Sequence, residues 1–129
     1  MNDKLIESYK DLIVWQKSME LVVAVYAATE YYPKSELYGL TSQTRRAAVS
    51  IPSNIAEGRR RSTKKDYCHF LVMAFGSGAE LETQIEIAKR LSFGKSINFS
   101  EGDGLLDEVM RMLNTMILTS NPYKLQATS

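Results

Sequence analysis

Cations are concentrated in one short stretch of the chain, where they could neutralise phosphate groups. From position 45 to position 65 the sequence carries seven basic residues and one acid, so this stretch has a formal charge of +6 while the rest carries −5. Such a cluster can bind a phosphate backbone with an affinity that falls as salt rises and depends little on sequence. The candidate nucleic-acid contacts are the cations Arg45, Arg46, Arg59, Arg60, Arg61, Lys64 and Lys65.

Polar side chains surround a proline in the middle of the same stretch. A proline inside a helix leaves the carbonyl four residues earlier without its donor, which costs roughly 3 kcal/mol unless the helix bends, so we expect a kink here. The polar groups could form a hydrogen-bond network that fixes the helix register, or they could contact a ligand or a nucleic acid, and an acid among them could pair with an arginine across the bundle. This motif comprises Ser50, Pro52, Ser53, Asn54, Glu57 and Gly58.

The sequence offers few combinations of side chains that could catalyse a reaction. His69 is the only histidine and Cys68 the only cysteine, and adjacent residues on a helix diverge by about 100°, so the two cannot form a nucleophile–base pair. Seven residues separate Arg61 from His69, a wider spacing than a helical ribonuclease with an arginine–histidine pair would need. No histidine accompanies the carboxylates of the third helical segment to build a metal site. We therefore expect no catalytic, cofactor-binding or metal site and keep ribonuclease activity as a distant alternative.

Length and composition indicate one globular domain over residues 1–129, since single-core domains cluster around roughly 100 to 150 residues. Hydrophobic residues make up 44% and charged residues 24% of the chain. The apolar runs fall short of the roughly 20 residues that a membrane span needs, and the first residues lack the pattern of a signal peptide. A lone cysteine suits a reducing compartment. We expect a cytoplasmic protein that does not associate with membranes.

Helical periodicity positions these candidates on four segments, roughly 11–31, 41–58, 63–91 and 101–120. Short connections between them predict an all-α, antiparallel up-and-down four-helix bundle with a proline kink in helix two. The expected N-caps are Asp11 for the first segment, Thr41 or Ser42 for the second and Thr63 for the third. Ser100, Glu101 and Asp103 supply the side-chain chemistry typical of a helix N-terminus at the start of the fourth segment. Gly58 is expected to stop the second helix, and Asn121 with Pro122 to follow the fourth.

Apolar stripes on these segments predict the core and one unusual feature of the first helix. That helix carries two apolar stripes, so we expect its extra face to meet another part of the bundle or another subunit. The third helix places Gly76 and Gly78 in its interior, at about 1 kcal/mol each relative to alanine, which suggests a close approach to a neighbouring helix. The first stripe comprises Trp15, Met19, Val22 and Tyr26, and the second Val14, Leu21, Val25 and Ala28.

The segments "GLTSQTRRAAVSIPSNIAEGRRRSTKKDY" and "FLVMAFGSGAELETQ" resemble the signature of the 23S ribosomal RNA intervening sequence protein family, also called four helix bundle proteins. The resemblance runs from about Leu12 to the fourth helix, nearly the whole chain. The sequence departs from the family pattern at Gly78, where a larger apolar residue is expected, and at Gly102 and Gly104.

The resemblance implies a left-handed four-helix bundle that assembles as a ring-like homopentamer without established catalytic activity. It also implies similarity to accessory proteins of diversity-generating retroelements, which bind nucleic acid and a reverse transcriptase. The main functional hypothesis is a non-enzymatic oligomer that binds RNA or DNA through the cations. The alternative is a purely structural oligomer that recruits a protein partner through its outer helix faces.

Overall fold

Four long helices make up most of the computed structural model, which describes residues 8–120. α1 spans Ile13–Thr29, α2 spans Ser42–Arg59, α3 spans Lys64–Arg90 and α4 spans Ser100–Ser120. No strand occurs among the described residues, so the predicted all-α fold with four helices is confirmed.

Two parts of the fold prediction are left open. α2 continues through Pro52 as one helix, and both the bend there and the antiparallel order of the helices stay predictions. The predicted stop at Asn121 and Pro122 lies outside the described residues.

α1 and α3 lie at opposite corners of the bundle, because each of them packs against both α2 and α4. The space between the four helices is filled by aliphatic side chains from every helix, as the 3.6-residue periodicity predicts. Burying a side chain of this size contributes roughly 1.5 to 3 kcal/mol. The large, fully buried aliphatic residues are Val14, Leu21, Ile51, Ile55, Leu71, Leu81, Val109 and Leu113.

Capping chemistry explains where the third helix begins but not the first two. Thr63 is the N-cap of α3, and its Oγ1 accepts a hydrogen bond from the Asp66 amide at 3.1 Å, as predicted. The prediction for α1 is wrong, because Asp11 lies in a preceding 3-10 turn and Leu12 occupies the N-cap. α2 has no side-chain cap either, since a π-helical turn over Leu37–Thr41 leads directly into it.

Gly58 does not stop α2 as predicted, because the helix ends one residue later at Arg59. No glycine among the described residues has a positive φ, so Gly58 is not the left-handed residue that commonly follows a helix. A Cβ at Gly58 would lie 2.7 Å from Phe70 Cβ and 3.2 Å from a ring carbon of Tyr67. Gly58 therefore allows the end of α2 to approach the start of α3 closely.

The two glycines inside α3 have different surroundings. Gly78 is buried, and a Cβ there would collide with Met110 of α4. Gly76 is exposed, and a Cβ there would meet no atom within 4 Å. The predicted close approach is thus confirmed at Gly78 and wrong for Gly76 within this subunit, and Met110 fills the space that a larger residue at 78 would occupy.

Within residues 8–120, no helix combines the length and the apolarity that crossing a membrane requires.

Candidate nucleic-acid interface

Five of the seven predicted cations lie together where α2 gives way to α3. Arg59 ends α2, Arg60 and Arg61 follow it, and Lys64 and Lys65 open α3. All five side chains are exposed. We call this set, Arg59, Arg60, Arg61, Lys64 and Lys65, the basic corner. A connection of only four residues joins the two helices, so the five charges are held at one corner of the bundle.

Lys64 and Lys65 are the cations of the basic corner that are most available to a ligand. They occupy the first turn of α3, and neither makes an ion pair or a side-chain hydrogen bond with another residue of the described range 8–120. The N-terminus of a helix favours anions, so two cations there are locally unfavourable by a few tenths of a kcal/mol each. A bound anion would offset this repulsion. It would also accept hydrogen bonds from the exposed N–H groups of the first turn.

Two arginines of the basic corner contact aromatic rings that sequence analysis did not connect with them. The Arg60 guanidinium lies 5.6 Å from the centre of the Tyr9 ring, and that of Arg61 lies 4.7 Å from the Phe70 ring. Arg61 also forms an ion pair with Glu57 at 2.6 Å. Glu57 therefore pairs within its own turn, and the expected pairing across the bundle is not observed.

These aromatic contacts could not be found by looking for aromatic residues between the cations. Tyr9 comes from the turn before α1, about fifty positions away in the sequence, and Phe70 lies two turns into α3. A cation over an aromatic face gains roughly 0.5 to 1 kcal/mol at an exposed site. The rings thus hold the side chains of Arg60 and Arg61 against the surface of the protein.

Tyr67 adds no negative charge to the basic corner near neutral pH. Burial raises the pKa of its phenol above the ordinary value of 10.0, and the positive charge of Arg59 opposes this rise. The hydroxyl consequently stays protonated across the physiological range and leaves the positive field of the corner undiminished.

The other two predicted cations lie far from the basic corner. Arg45 and Arg46 are in the first turns of α2, roughly 20 Å along the helix axis from Arg59 at about 1.5 Å per residue. Arg45 is engaged with α1: its Nε donates to Thr29 Oγ1 at 2.8 Å, and it forms an ion pair with Glu30 at 3.0 Å. Arg46 is exposed. The predicted set of seven therefore divides into two separate groups.

The polar motif around Pro52 forms a hydrogen-bond network between α2 and α3. The hydroxyls of Ser50 and Ser77 lie 2.8 Å apart, and the Asn54 amide donates to Ser50 Oγ at 3.0 Å and to the Ser50 carbonyl at 2.9 Å. Because Ser50 Oγ accepts from Asn54, its own hydrogen is available to Ser77. Ser53 instead donates to the Val49 carbonyl and is exposed. These bonds support the structural interpretation of the motif.

We predict that Ser50→Ala destabilises the protein by about 1 to 2 kcal/mol, because it leaves the Ser77 hydroxyl and the Asn54 amide without a shared partner. Ser53→Ala is the matched control, since its hydroxyl bonds only within its own turn, and it should change stability by less than about 0.5 kcal/mol. Urea unfolding measures both variants. Equal effects of the two substitutions would contradict a role for Ser50 in joining the helices.

The residues considered for catalysis are not brought together. Cys68 is buried and His69 is exposed, so their side chains lie on different faces of α3. Glu86 pairs with Arg90 one turn later at 3.0 Å. Among residues 8–120, no three histidine, cysteine or acidic side chains are grouped closely enough to hold a metal ion.

Comparison with family models identifies the family of this chain. A family model for the 23S rRNA-intervening sequence protein matches residues 10–115, which include all four helices down to the last turn of α4. The search of curated proteins gives no match.

Proposed function

Since the chain belongs to the 23S rRNA-intervening sequence protein family, we propose that it is a non-enzymatic homo-oligomer that binds RNA or DNA through the basic corner. The proposed ligand is the phosphate backbone, because a cluster of lysine and arginine side chains neutralises phosphates with little dependence on sequence. A cytoplasmic location, expected from the sequence, is part of the same proposal.

The observation that carries the proposal is the presence of five exposed cations within seven consecutive residues at one corner of the fold. Lysine and arginine side chains that neutralise phosphates release the counterions condensed on the nucleic acid, and this release supplies most of the sequence-independent affinity. The fixed geometry of two helix ends keeps the charges together, so little backbone entropy is lost when a polyanion binds.

Oligomerisation is proposed from the outer faces of α1 and α3. α1 leaves Met19, Val23 and Tyr26 on its exposed side, and α3 leaves Val72 and Ile87 exposed on its outer side. Because α1 and α3 are at opposite corners of the bundle, a contact between the α1 face of one copy and the α3 face of the next is head-to-tail. Such contacts close into a ring when the rotation allows it, which agrees with the pentamer implied by the sequence resemblance.

A closed ring would strengthen binding without any new type of contact. Each copy contributes one basic corner, and a polyanion bound at one corner meets the next at a high effective concentration. The repeated positive field also raises the rate of association.

Val23→Glu is expected to dissociate the oligomer, because Val23 is 68% exposed and a charge buried in a subunit interface without a partner costs several kcal/mol. Leu118→Glu on α4 is the matched control, since that residue is 41% exposed but lies on neither proposed face. Light scattering should give the mass of a monomer for Val23→Glu and of the oligomer for the control. An unchanged mass for Val23→Glu would exclude the α1 face.

Light scattering with and without nucleic acid tests the proposed function as a whole. The expected result is an oligomer whose mass increases when a mixed-sequence duplex RNA or DNA is added at low salt and returns to its starting value as salt rises. An oligomer that binds neither RNA nor DNA at low salt would overturn the nucleic-acid proposal.

A protein-recruiting oligomer is the second candidate, supported by a shallow groove beside the start of α2. Tyr38 is 93% exposed there, and the groove is also lined by Leu37, Arg46 and Val49. Tyrosine and arginine are frequent among the residues that dominate protein–protein binding energy. This candidate predicts a stable oligomer without salt-sensitive retention of nucleic acid.

A further inference from the structure

A cavity of about 520 Å³ lies at the end of the bundle where α1 finishes and α4 begins, away from the α2–α3 connection. Its size falls within the range of roughly 300 to 1,000 Å³ that small-molecule sites have. The walls are mostly apolar, with polar groups near the start of α4. The lining residues used below are Ala28, Thr29, Tyr32, Thr44, Phe99 and Gly102.

Two buried hydroxyls in the lining make no hydrogen bond with any residue of the described range. Tyr32 is 7% exposed and Thr44 is 1% exposed, and neither Tyr32 Oη nor Thr44 Oγ1 has a partner. A buried polar group without a partner is destabilising, and native proteins have few of them. Both residues line the same cavity, so an occupant of the cavity is the nearest candidate for a hydrogen-bond partner.

The other helical threonines show that the unpaired state of Thr44 is unusual. Thr29, which lines the same cavity, donates to the carbonyl four residues earlier at 2.8 Å and accepts from Arg45. Thr83 and Thr115 make the same backward bond at 3.0 and 3.2 Å. Threonine in a helix commonly satisfies its hydroxyl in this way, so the free hydroxyl of Thr44 is a property of its site rather than of the residue.

Tyr32 and Phe99 line the cavity, and Phe93, which does not, packs against Tyr32. The Tyr32 ring lies 4.9 Å from that of Phe93 and 6.5 Å from that of Phe99, measured between centres. Burial raises the pKa of Tyr32 to about 12, so its hydroxyl remains protonated at neutral pH and can donate a hydrogen bond. Rings stack favourably in offset or edge-to-face arrangements, which favours a flat aromatic occupant.

We propose that this cavity binds a small aromatic molecule that carries a hydrogen-bond acceptor, and that the hydroxyl of Tyr32 or of Thr44 donates to that acceptor. The proposal is independent of nucleic-acid binding, because the cavity shares no residue with the basic corner.

The first test compares two probes of nearly equal shape, quinoline and naphthalene, which differ by one ring nitrogen that accepts a hydrogen bond. Titration followed by NMR of the full-length protein should show quinoline binding about tenfold more tightly, which is the effect of roughly one buried hydrogen bond. The double variant Tyr32→Phe with Thr44→Val should remove this preference and retain naphthalene binding. Equal affinities of the two probes for the unmodified protein, or no binding of either, would overturn the proposal.

The second test blocks the cavity from α4. Gly102 lines the cavity and Gly104 does not, and a Cβ at either position meets no atom within 4 Å, so the first atom of a side chain fits at both. Gly102→Leu should reduce quinoline affinity at least about tenfold by occupying the space, whereas Gly104→Leu should leave it unchanged. Quinoline affinity that is the same in Gly102→Leu as in the unmodified protein would place its binding elsewhere and overturn the assignment.

Discussion

Reversing the charges of Lys64 and Lys65 to glutamate should weaken nucleic-acid binding about ten- to a hundredfold at low salt. Both lysines are exposed at the start of α3, and charge-assisted contacts to a phosphate contribute roughly 1 kcal/mol or more each. The magnitude of the negative slope of log affinity against log salt should decrease by about 2 per subunit, since each lost phosphate contact removes about 0.9. Fluorescence anisotropy with a labelled duplex measures both quantities.

This substitution is suited to the test because it should not harm the fold. Glutamate in the first turn of a helix is favoured by the helix dipole, so the variant should be as stable as the original protein. Lys34→Glu with Lys95→Glu is the matched control: both lysines are exposed and lie outside α3 and the basic corner. If the control lost as much affinity as the Lys64 and Lys65 variant, net charge rather than the basic corner would account for binding.

Gly58→Ala should destabilise the protein by about 1 to 2 kcal/mol although alanine is the better helix former. The added Cβ would come within 2.7 Å of Phe70 Cβ, an atom fixed close to the backbone, so α2 and α3 must separate. Overpacking of this kind costs roughly 1 to 3 kcal/mol, which exceeds the gain of up to about 1 kcal/mol from helix propensity. Because the displaced segment leads into the basic corner, nucleic-acid affinity should fall as well.

Two other glycines provide the controls for Gly58. Gly76→Ala meets no atom within 4 Å and should stabilise the chain by up to about 1 kcal/mol through helix propensity alone. Gly78→Ala meets the flexible end of Met110, which can move, so its effect should lie between the other two. Urea unfolding of the three variants gives the order, and a stabilising Gly58→Ala would show that the close approach of α2 to α3 is not required.

The sequence predicts the parts of this fold that depend on local chemistry. Apolar periodicity identifies all four helices, and Thr63 is recognisable as an N-cap because its side chain bonds to an amide only three residues away. The position of the basic corner follows equally well, because its five cations are consecutive or nearly so and a short connection keeps them together.

Features that depend on distant neighbours could not be predicted in the same way. Glycine is typical of the position where a helix ends. Gly58 is required for another reason, because Phe70 on the next helix leaves no room for a Cβ at this position. The sequence gives no sign of a partner for Arg45. In the structure, Thr29 and Glu30 at the end of α1 bind its guanidinium group. The contact of Arg60 with Tyr9 joins residues about fifty positions apart, and no local pattern encodes it.

The salt dependence of binding by the unmodified protein tests the central claim most directly. Anisotropy of a labelled duplex RNA, measured from about 50 to 200 mM salt, should give a log–log slope of about −2 to −4 per bound subunit, corresponding to between two and five neutralised phosphates. This is the result expected if the basic corner contacts the backbone. An affinity that does not change with salt, or no binding at the lowest salt, would contradict the account.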